Sequence, residues 1–241
     1  MKIENAIILA AGRGSRMKEL TDDKPKCMQL IDNTSVIQRT INVFKYKNIK
    51  RIIVVTGYKS GILRKHLSTL YNDIIFVEND NWQNTNIIYS MYSVIKKIPA
   101  KYLTHTIVID SDIYINNVDC IQNNIEYSGY SAVKNVNVKE WQLLTCKQHR
   151  IIDTRKSGYF ENGLPIIDIS YWTKKDFAFI AKKICDAIDN KEFQRYWDEI
   201  PLFDYLMQIY LKRYDINEND AMEFDTKEDL EEVRKIVCSV D

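Results

Sequence analysis

The stretch Ile7-Ile8-Leu9-Ala10-Ala11-Gly12-Arg13-Gly14-Ser15-Arg16, followed by Asp23-Lys24-Pro25-Lys26, decides how this chain is to be read. An apolar run that ends in two alanines and a Gly-x-Gly turn predicts a buried strand over about Asn5 to Leu9. The strand stops in a loop whose backbone can approach a ligand closely. Successive N–H groups in such a loop form a concavity for anions. Arg16 and Lys26 add positive charge on the same side, which suits a nucleoside triphosphate. Two other glycine motifs do not fit: Met17 stands where a dinucleotide fingerprint needs its third glycine, and no Walker A sequence is present.

Outward from this stretch, strand and helix patterns alternate. Val36, Ile37, Ile41, Val43 and Phe44 recur at helical spacing within Ser35 to Lys45. Arg51 to Thr56 reads as a second buried strand, Lys59 to Leu70 as an amphipathic helix, and Ile74 to Glu78 as a third strand. This rhythm predicts an α/β fold: a Rossmann-like, mostly parallel sheet flanked by helices, with the ligand outside the carboxyl ends of the strands. Asn84, Thr85 and Asn86 precede a helical run containing Ser90. Two readings stay open for these side chains: helix capping, and recognition of a base edge by an amide carrying both donor and acceptor.

Thr104 to Asp110 is a central strand ending in Asp110-Ser111-Asp112. Carboxylates at the carboxyl end of a buried strand lie where ligand chemistry is expected, and hard oxygen ligands suit Mg2+ with its bound phosphates. Between 132 and 172 the rhythm breaks into short strand-like runs (Trp141 to Thr145, Ile151 to Thr154, Ile166 to Trp172), expected to be a β-rich insertion on the substrate side of a single domain spanning 1–241. Lys174 to Ile188 and Pro201 to Leu211 read as helices. Ala221 to Asp225 alternates as a short strand, with Glu223 and Asp225 on one face. Thr226 and Asp229 then form a capping-box pattern before a last helix, Lys227 to Val237.

The bulk properties exclude some functions. A net charge of +1 over 241 residues gives no basic footprint for nucleic acid. Neither a spanning run nor a signal peptide is visible, so no membrane role is expected. Five scattered cysteines without C-x-x-C spacing read as reduced thiols in a cytoplasmic protein. The three histidines are isolated. Oligomeric state is not readable from the sequence.

Leu9-Ala10-Ala11-Gly12-x-Gly14-Ser15-Arg16, Pro25-Lys26, Asn84-x-Asn86 with Tyr89-Ser90, Ile109-Asp110-x-Asp112, Tyr196-Trp197-Asp198 and Glu223-x-Asp225 together resemble the nucleotidyltransferase superfamily. Within it they resemble the bacterial phosphocholine cytidylyltransferases and their relatives acting on small phosphorylated or phosphonic amines. Sugar-nucleotide pyrophosphorylases usually carry Gln-Pro-x-Gly before the base-side helix, where this chain has Gln83-Asn84-Thr85-Asn86. The resemblance implies the reaction CTP + phospho-X → CDP-X + pyrophosphate.

It also implies roles. Leu9, Ala10, Ala11, Gly12, Gly14, Ser15, Asn84, Asn86, Ser90 and a supporting Asp110 would bind the nucleotide. Mg2+ would be held by Asp112 and Asp225, with Glu223 beside them. Lys26 would act at the α-phosphate and Arg16 on the departing pyrophosphate. Trp141, Tyr196, Trp197 and Asp198 would bind the acceptor, since aromatic faces and a carboxylate attract a cationic head group. Any one of these aromatics can instead be core in a chain with four Trp and fifteen Tyr. Around Gly158 to Ile169 the chain departs from the family pattern, with Gly163 to Asp168 in place of a short Ser-Gly-Val-type turn. Phosphocholine, 2-aminoethylphosphonate and a phosphorylated amino acid such as phosphoglutamine therefore all stand as acceptors, with Lys134, Lys139 and Lys147 as candidate partners of an acceptor carboxylate. A sugar-1-phosphate nucleotidyltransferase and a non-catalytic nucleotide-binding module are the rival functions.

Overall fold

The computed structural model describes residues 1–134, 141–156 and 163–239. Lys139 and positions 158–162, named above, lie outside these residues.

Strand β1 (Asn5–Ala10) enters the glycine loop, and a short hairpin, β2 (Leu30–Ile31) and β3 (Thr34–Ser35), follows. Helix α1 (Val36–Tyr46) then begins a regular alternation: β4 (Arg51–Thr56), α2 (Ser60–Leu70), β5 (Ile74–Glu78), α3 (Ile87–Lys97) and β6 (Thr106–Asp110). Next come β7 (Ile113–Ile115), β8 (Ser128–Val133), β9 (Gln142–Thr145), β10 (Ile151–Arg155) and β11 (Leu164–Trp172). The chain closes with α4 (Lys174–Asp189), β12 (Leu211–Ile216), β13 (Ala221–Glu223) and α5 (Lys227–Cys238).

In the central sheet, β5, β4, β1 and β6 are neighbours in parallel register. Every residue of β1 is buried, as expected for a parallel strand covered on both faces. Its side chains alternate between two cores. Ala6, Ile8 and Ala10 pack with α1 and α2 through Ile37, Ile41, Phe44, Leu63 and Leu67. Ile7 and Leu9, with Ala11 just past the strand, face α3 and α4 through Ile88, Met91, Val94, Phe177 and Ile184. The expected α/β fold is thus present.

Beyond β6 the sheet turns antiparallel: β11 pairs β6, β8 and β9, and β9 pairs β10. The helix expected over Pro201 to Leu211 is not formed. A single wide helical turn covers Ile200–Asp204, and Leu211 opens β12, which pairs in parallel with β8. Only the end residues of β12 are buried, so its sequence lacks the alternation that marks a strand, and sheet pairing decides its conformation. The five cysteines are all unpaired. Among the described residues, no helix is long and apolar enough to cross a membrane.

Candidate active site

Leu9 and Asp110 are register partners at the carboxyl ends of β1 and β6. After β1 the chain continues to β4 and β5 on one side, then returns through α3 to β6 on the other, so the crevice between these strand ends is the switch point of the sheet. The glycine loop closes over it. Gly14 has a left-handed φ of 65°, and a Cβ there would lie 3.0 Å from the Cβ of Lys26, so a side chain at this position would be strained and would crowd Lys26.

A cavity of about 320 Å3 fills the crevice, and Leu9, Ala11, Gly12, Gly14, Ser15, Arg16 and Lys26 line it from the loop side. Trp82, Thr85, Asn86, Ile87 and Ser90 line the α3 side, and Asp110, Asp112 and Asp225 the floor. Ala10, a buried β1 residue, and Asn84 are not brought to this wall. Asn84 is exposed and donates to Asn81 Oδ1 at 3.0 Å. Asn86 caps α3, its Oδ1 accepting from the Ile87 N–H at 2.7 Å while its Nδ2 donates to the Gln194 carbonyl. Capping therefore accounts for its side-chain amide, although it does lie in the cavity wall. Ser90 accepts from Asn79 Nδ2 at 3.1 Å.

The acids converge through a small antiparallel pair. Strand β13 pairs β7, with Glu223 opposite Ile113, and the Phe224 N–H donates to the Asp112 carbonyl. This pairing carries Glu223 and Asp225 to Asp112, and one carboxylate oxygen from each lies within 4.8 Å of the others. Lys26 Nζ donates to Asp112 Oδ2 and Asp225 Oδ1, both at 2.7 Å, and Arg16 pairs with Asp225 at 2.7 Å. Burial alone would depress the Lys26 ammonium, but Asp112 and Asp225 outweigh it and hold the pKa above its usual value, so the side chain stays charged. Loss of bulk water in the cleft, and then the nearby carboxylates of Asp112, Asp168 and Asp225, push Glu223 up to about 9. A set of three clustered hard oxygen donors fits a divalent cation.

A second cavity, also of about 320 Å3, opens from the same floor. It shares Arg16, Ile87, Asp110, Tyr196 and Asp225 with the first and adds Trp141, Lys156, Ile166, Asp168, Asp198 and Glu223. Tyr196 and Trp141 meet edge-on, with ring centroids 5.8 Å apart. Asp198 accepts from Tyr130 Oη at 2.8 Å. Burial, and next the charge of Asp168, raise the Asp198 carboxyl well above its usual range; Asp110 is raised likewise by burial and then by Asp168 and Asp112.

Trp197 is not brought to the cavity. It is 2% exposed and packs on Trp172 at 5.5 Å, so its role is core packing. Lys134 and Lys147 line neither cavity. Two charged lining residues carry no role in the sequence reading. Asp168 interrupts an apolar strand beside the buried Ile167 and Ile169, a signal that its face of β11 meets something other than core. Lys156 has no such signature.

Residues 6–146 match the MobA-like NTP transferase domain. The chain belongs to this family. It is 27% identical over 228 residues to the choline-phosphate cytidylyltransferase of Haemophilus influenzae, covering 93% of this chain and 94% of that one. It is 39% identical over 88 residues to the CTP:phosphoglutamine cytidylyltransferase of Campylobacter jejuni, about a third of each chain (36% and 34%). The solved CTP:phosphocholine cytidylyltransferase of Streptococcus pneumoniae superposes with a TM-score of 0.85 at 25% identity, over 98% of this chain and 100% of that one. The fold of that enzyme is therefore shared over nearly the whole chain.

Proposed function

We propose that this protein is a CTP-dependent cytidylyltransferase. It transfers CMP to the phosphate or phosphonate of a small amine or amino acid and releases pyrophosphate. The observation that carries this reading is the junction of the two cavities: Arg16, Asp110 and Asp225 belong to both, with Lys26 and the acidic triad at their meeting point. A nucleoside triphosphate in the first cavity and a phosphorylated acceptor in the second would meet at the α-phosphate. The full-length cytidylyltransferase relatives support the same assignment.

An acceptor oxygen attacks the α-phosphorus in line, and the bond from that phosphorus to the bridging oxygen of pyrophosphate breaks. The acceptor is already an anion, so no base is needed, and the work of the protein is positioning and charge neutralisation. The amides from Gly12 to Ser15 cradle the triphosphate. Lys26, freed from its carboxylates, neutralises charge growing on the α-phosphate, and Arg16 follows the leaving pyrophosphate. Asp112, Glu223 and Asp225 would hold Mg2+, which supplies Lewis-acid stabilisation of phosphoryl oxygens when bound.

The test is a matrix of the four nucleoside triphosphates against phosphocholine, 2-aminoethylphosphonate, phosphoglutamine and glucose 1-phosphate, read by pyrophosphate release with Mg2+. Release is expected with CTP and a phospho-amine or phospho-amino acid. Release only with glucose 1-phosphate would make the protein a sugar nucleotidyltransferase, and none with any pair would return it to a binding module.

A further inference from the structure

We propose that Lys156 sets acceptor choice: its ammonium occupies the aromatic pocket of the second cavity and selects acceptors that carry a carboxylate over acceptors ending in a quaternary ammonium. This rests on the reaction proposed above.

Lys156 Nζ lies 5.3 Å from the ring centroid of Trp141 and 5.6 Å from that of Phe203. These two rings meet edge-to-face at 5.4 Å, and Tyr196 closes the group against Trp141 at 5.8 Å. Such faces attract a cation, and here the chain supplies its own. Lys156 is tethered by an ion pair with Glu199, whose second oxygen accepts from Arg195 Nε at 2.9 Å. Arg195 is in turn fixed by Glu192 and Asp204, both at 2.8 Å. Among the described residues Glu199 engages one donor of Lys156, and an ammonium carries three N–H groups.

The consequence for an incoming acceptor is one of sign. A trimethylammonium group seeking the Trp141 face must displace Lys156 or lie against a like charge. A carboxylate reaching the same place gains a charge-assisted hydrogen bond from Lys156. An amine on that acceptor still finds the carboxyl groups of Asp168 and Asp198 in the same cavity. Among the described residues lining this cavity, Arg16 is the other cation, and it is paired with Asp225 at the nucleotide junction.

The experiment compares kcat/KM for phosphoglutamine and phosphocholine, with CTP and Mg2+, in the wild type, Lys156→Met and Lys156→Arg. Methionine keeps an unbranched stem on Trp141 and removes the charge; arginine keeps the charge. Wild type is expected to prefer phosphoglutamine. Lys156→Met should lose roughly ten- to a hundredfold on phosphoglutamine, chiefly in acceptor KM. It should gain roughly two- to thirtyfold on phosphocholine. Lys156→Arg should keep the wild-type order. A wild type that prefers phosphocholine overturns the inference, as does an unchanged ratio of the two kcat/KM values in Lys156→Met with pyrophosphate still released; both leave the reaction standing. No pyrophosphate from wild type with either acceptor overturns the reaction, and the inference with it.

Discussion

The cavity proposed for the nucleotide and the one proposed for the acceptor share a floor but are assembled differently. The first is built at the carboxyl ends of two adjacent parallel strands and on the loop that follows β1, so most of its charged groups sit in short, recognisable runs. The second gathers Trp141, Lys156, Asp168 and Tyr196 singly from the antiparallel edge and from the segment after α4. The difference separates chemistry held by backbone geometry from chemistry held by side chains. On the proposed function, triphosphate positioning would depend on backbone geometry at strand ends, and acceptor choice on a few side chains that the sheet edge holds in place.

The strongest way to break this division is to attack the floor. Asp112→Asn and Asp225→Asn each remove a hard oxygen charge and should lower turnover by roughly a thousandfold or more with any acceptor, because the floor serves both cavities. Circular dichroism should show an intact fold. Near-wild-type rates in both variants at limiting Mg2+ would remove the metal role from the triad.

Lys26→Ala comes next. It should reduce kcat roughly a hundred- to thousandfold while CTP KM changes less, because the charge is aimed at the transition state. The structure adds a second readout. Lys26 ties Asp112 and Asp225 together with a side chain only 8% exposed, so its removal leaves two carboxylates facing each other. The variant should melt lower than wild type without Mg2+ and recover part of the difference when Mg2+ is added. Equal melting temperatures with and without Mg2+ would mean that no cation replaces the lysine there.

Legibility in the sequence follows the same division. The strand, glycine loop and Lys26 were readable because a parallel strand demands a continuous apolar run and a close backbone approach demands glycine. Those constraints are local. Asp112 and Glu223-x-Asp225 were readable as acids at strand ends, although what joins them is the β7–β13 pairing. Tyr196 and Trp197 show where local reading stops. They are adjacent and both aromatic, yet one is 50% exposed in the cavity and the other 2% exposed in the core. Burial at that turn is decided by Trp172 on β11, which no local pattern announces. Lys156 and β12 were missed for the same reason: tertiary pairing, not residue type, gives them their places.

That contrast can be sharpened with a matched pair. Trp141→Ala opens the acceptor wall and should raise acceptor KM roughly two- to thirtyfold, with CTP KM barely moved. Trp197→Ala should leave acceptor KM near wild type in the folded fraction but cost about 3–5 kcal/mol of stability through the cavity it creates. If the two variants exchange these signatures, the assignment of Trp141 to the site and Trp197 to the core is reversed.

The smallest effect probes whether the floor is braced from outside the cavities. The Thr226 hydroxyl caps α5 by accepting from the Asp229 N–H at 3.2 Å, and the Asp229 carboxylate accepts from the backbone N–H groups of Thr226 at 2.8 Å and Asp225 at 2.9 Å. The cap therefore grips the backbone of a triad residue. Thr226→Ala should cost about 1 kcal/mol of stability. Burial would raise the Asp229 carboxyl, but the N–H groups of Asp225 and Thr226 and the Thr226 hydroxyl outweigh it and hold the pKa below the usual value. A lowered folded-state pKa adds stability that is fully present above the unfolded value, about 4, and fades as pH falls through the folded one. Asp229→Asn should therefore be destabilised at neutral pH and approach wild type in acid, with urea midpoints at pH 7 and pH 3 as the measurement. Activity should fall only severalfold in either variant, since the Asp225 side chain remains. A loss as deep as that of Asp225→Asn would instead make the cap a positioning element for the metal site, extending the shared floor to the start of α5.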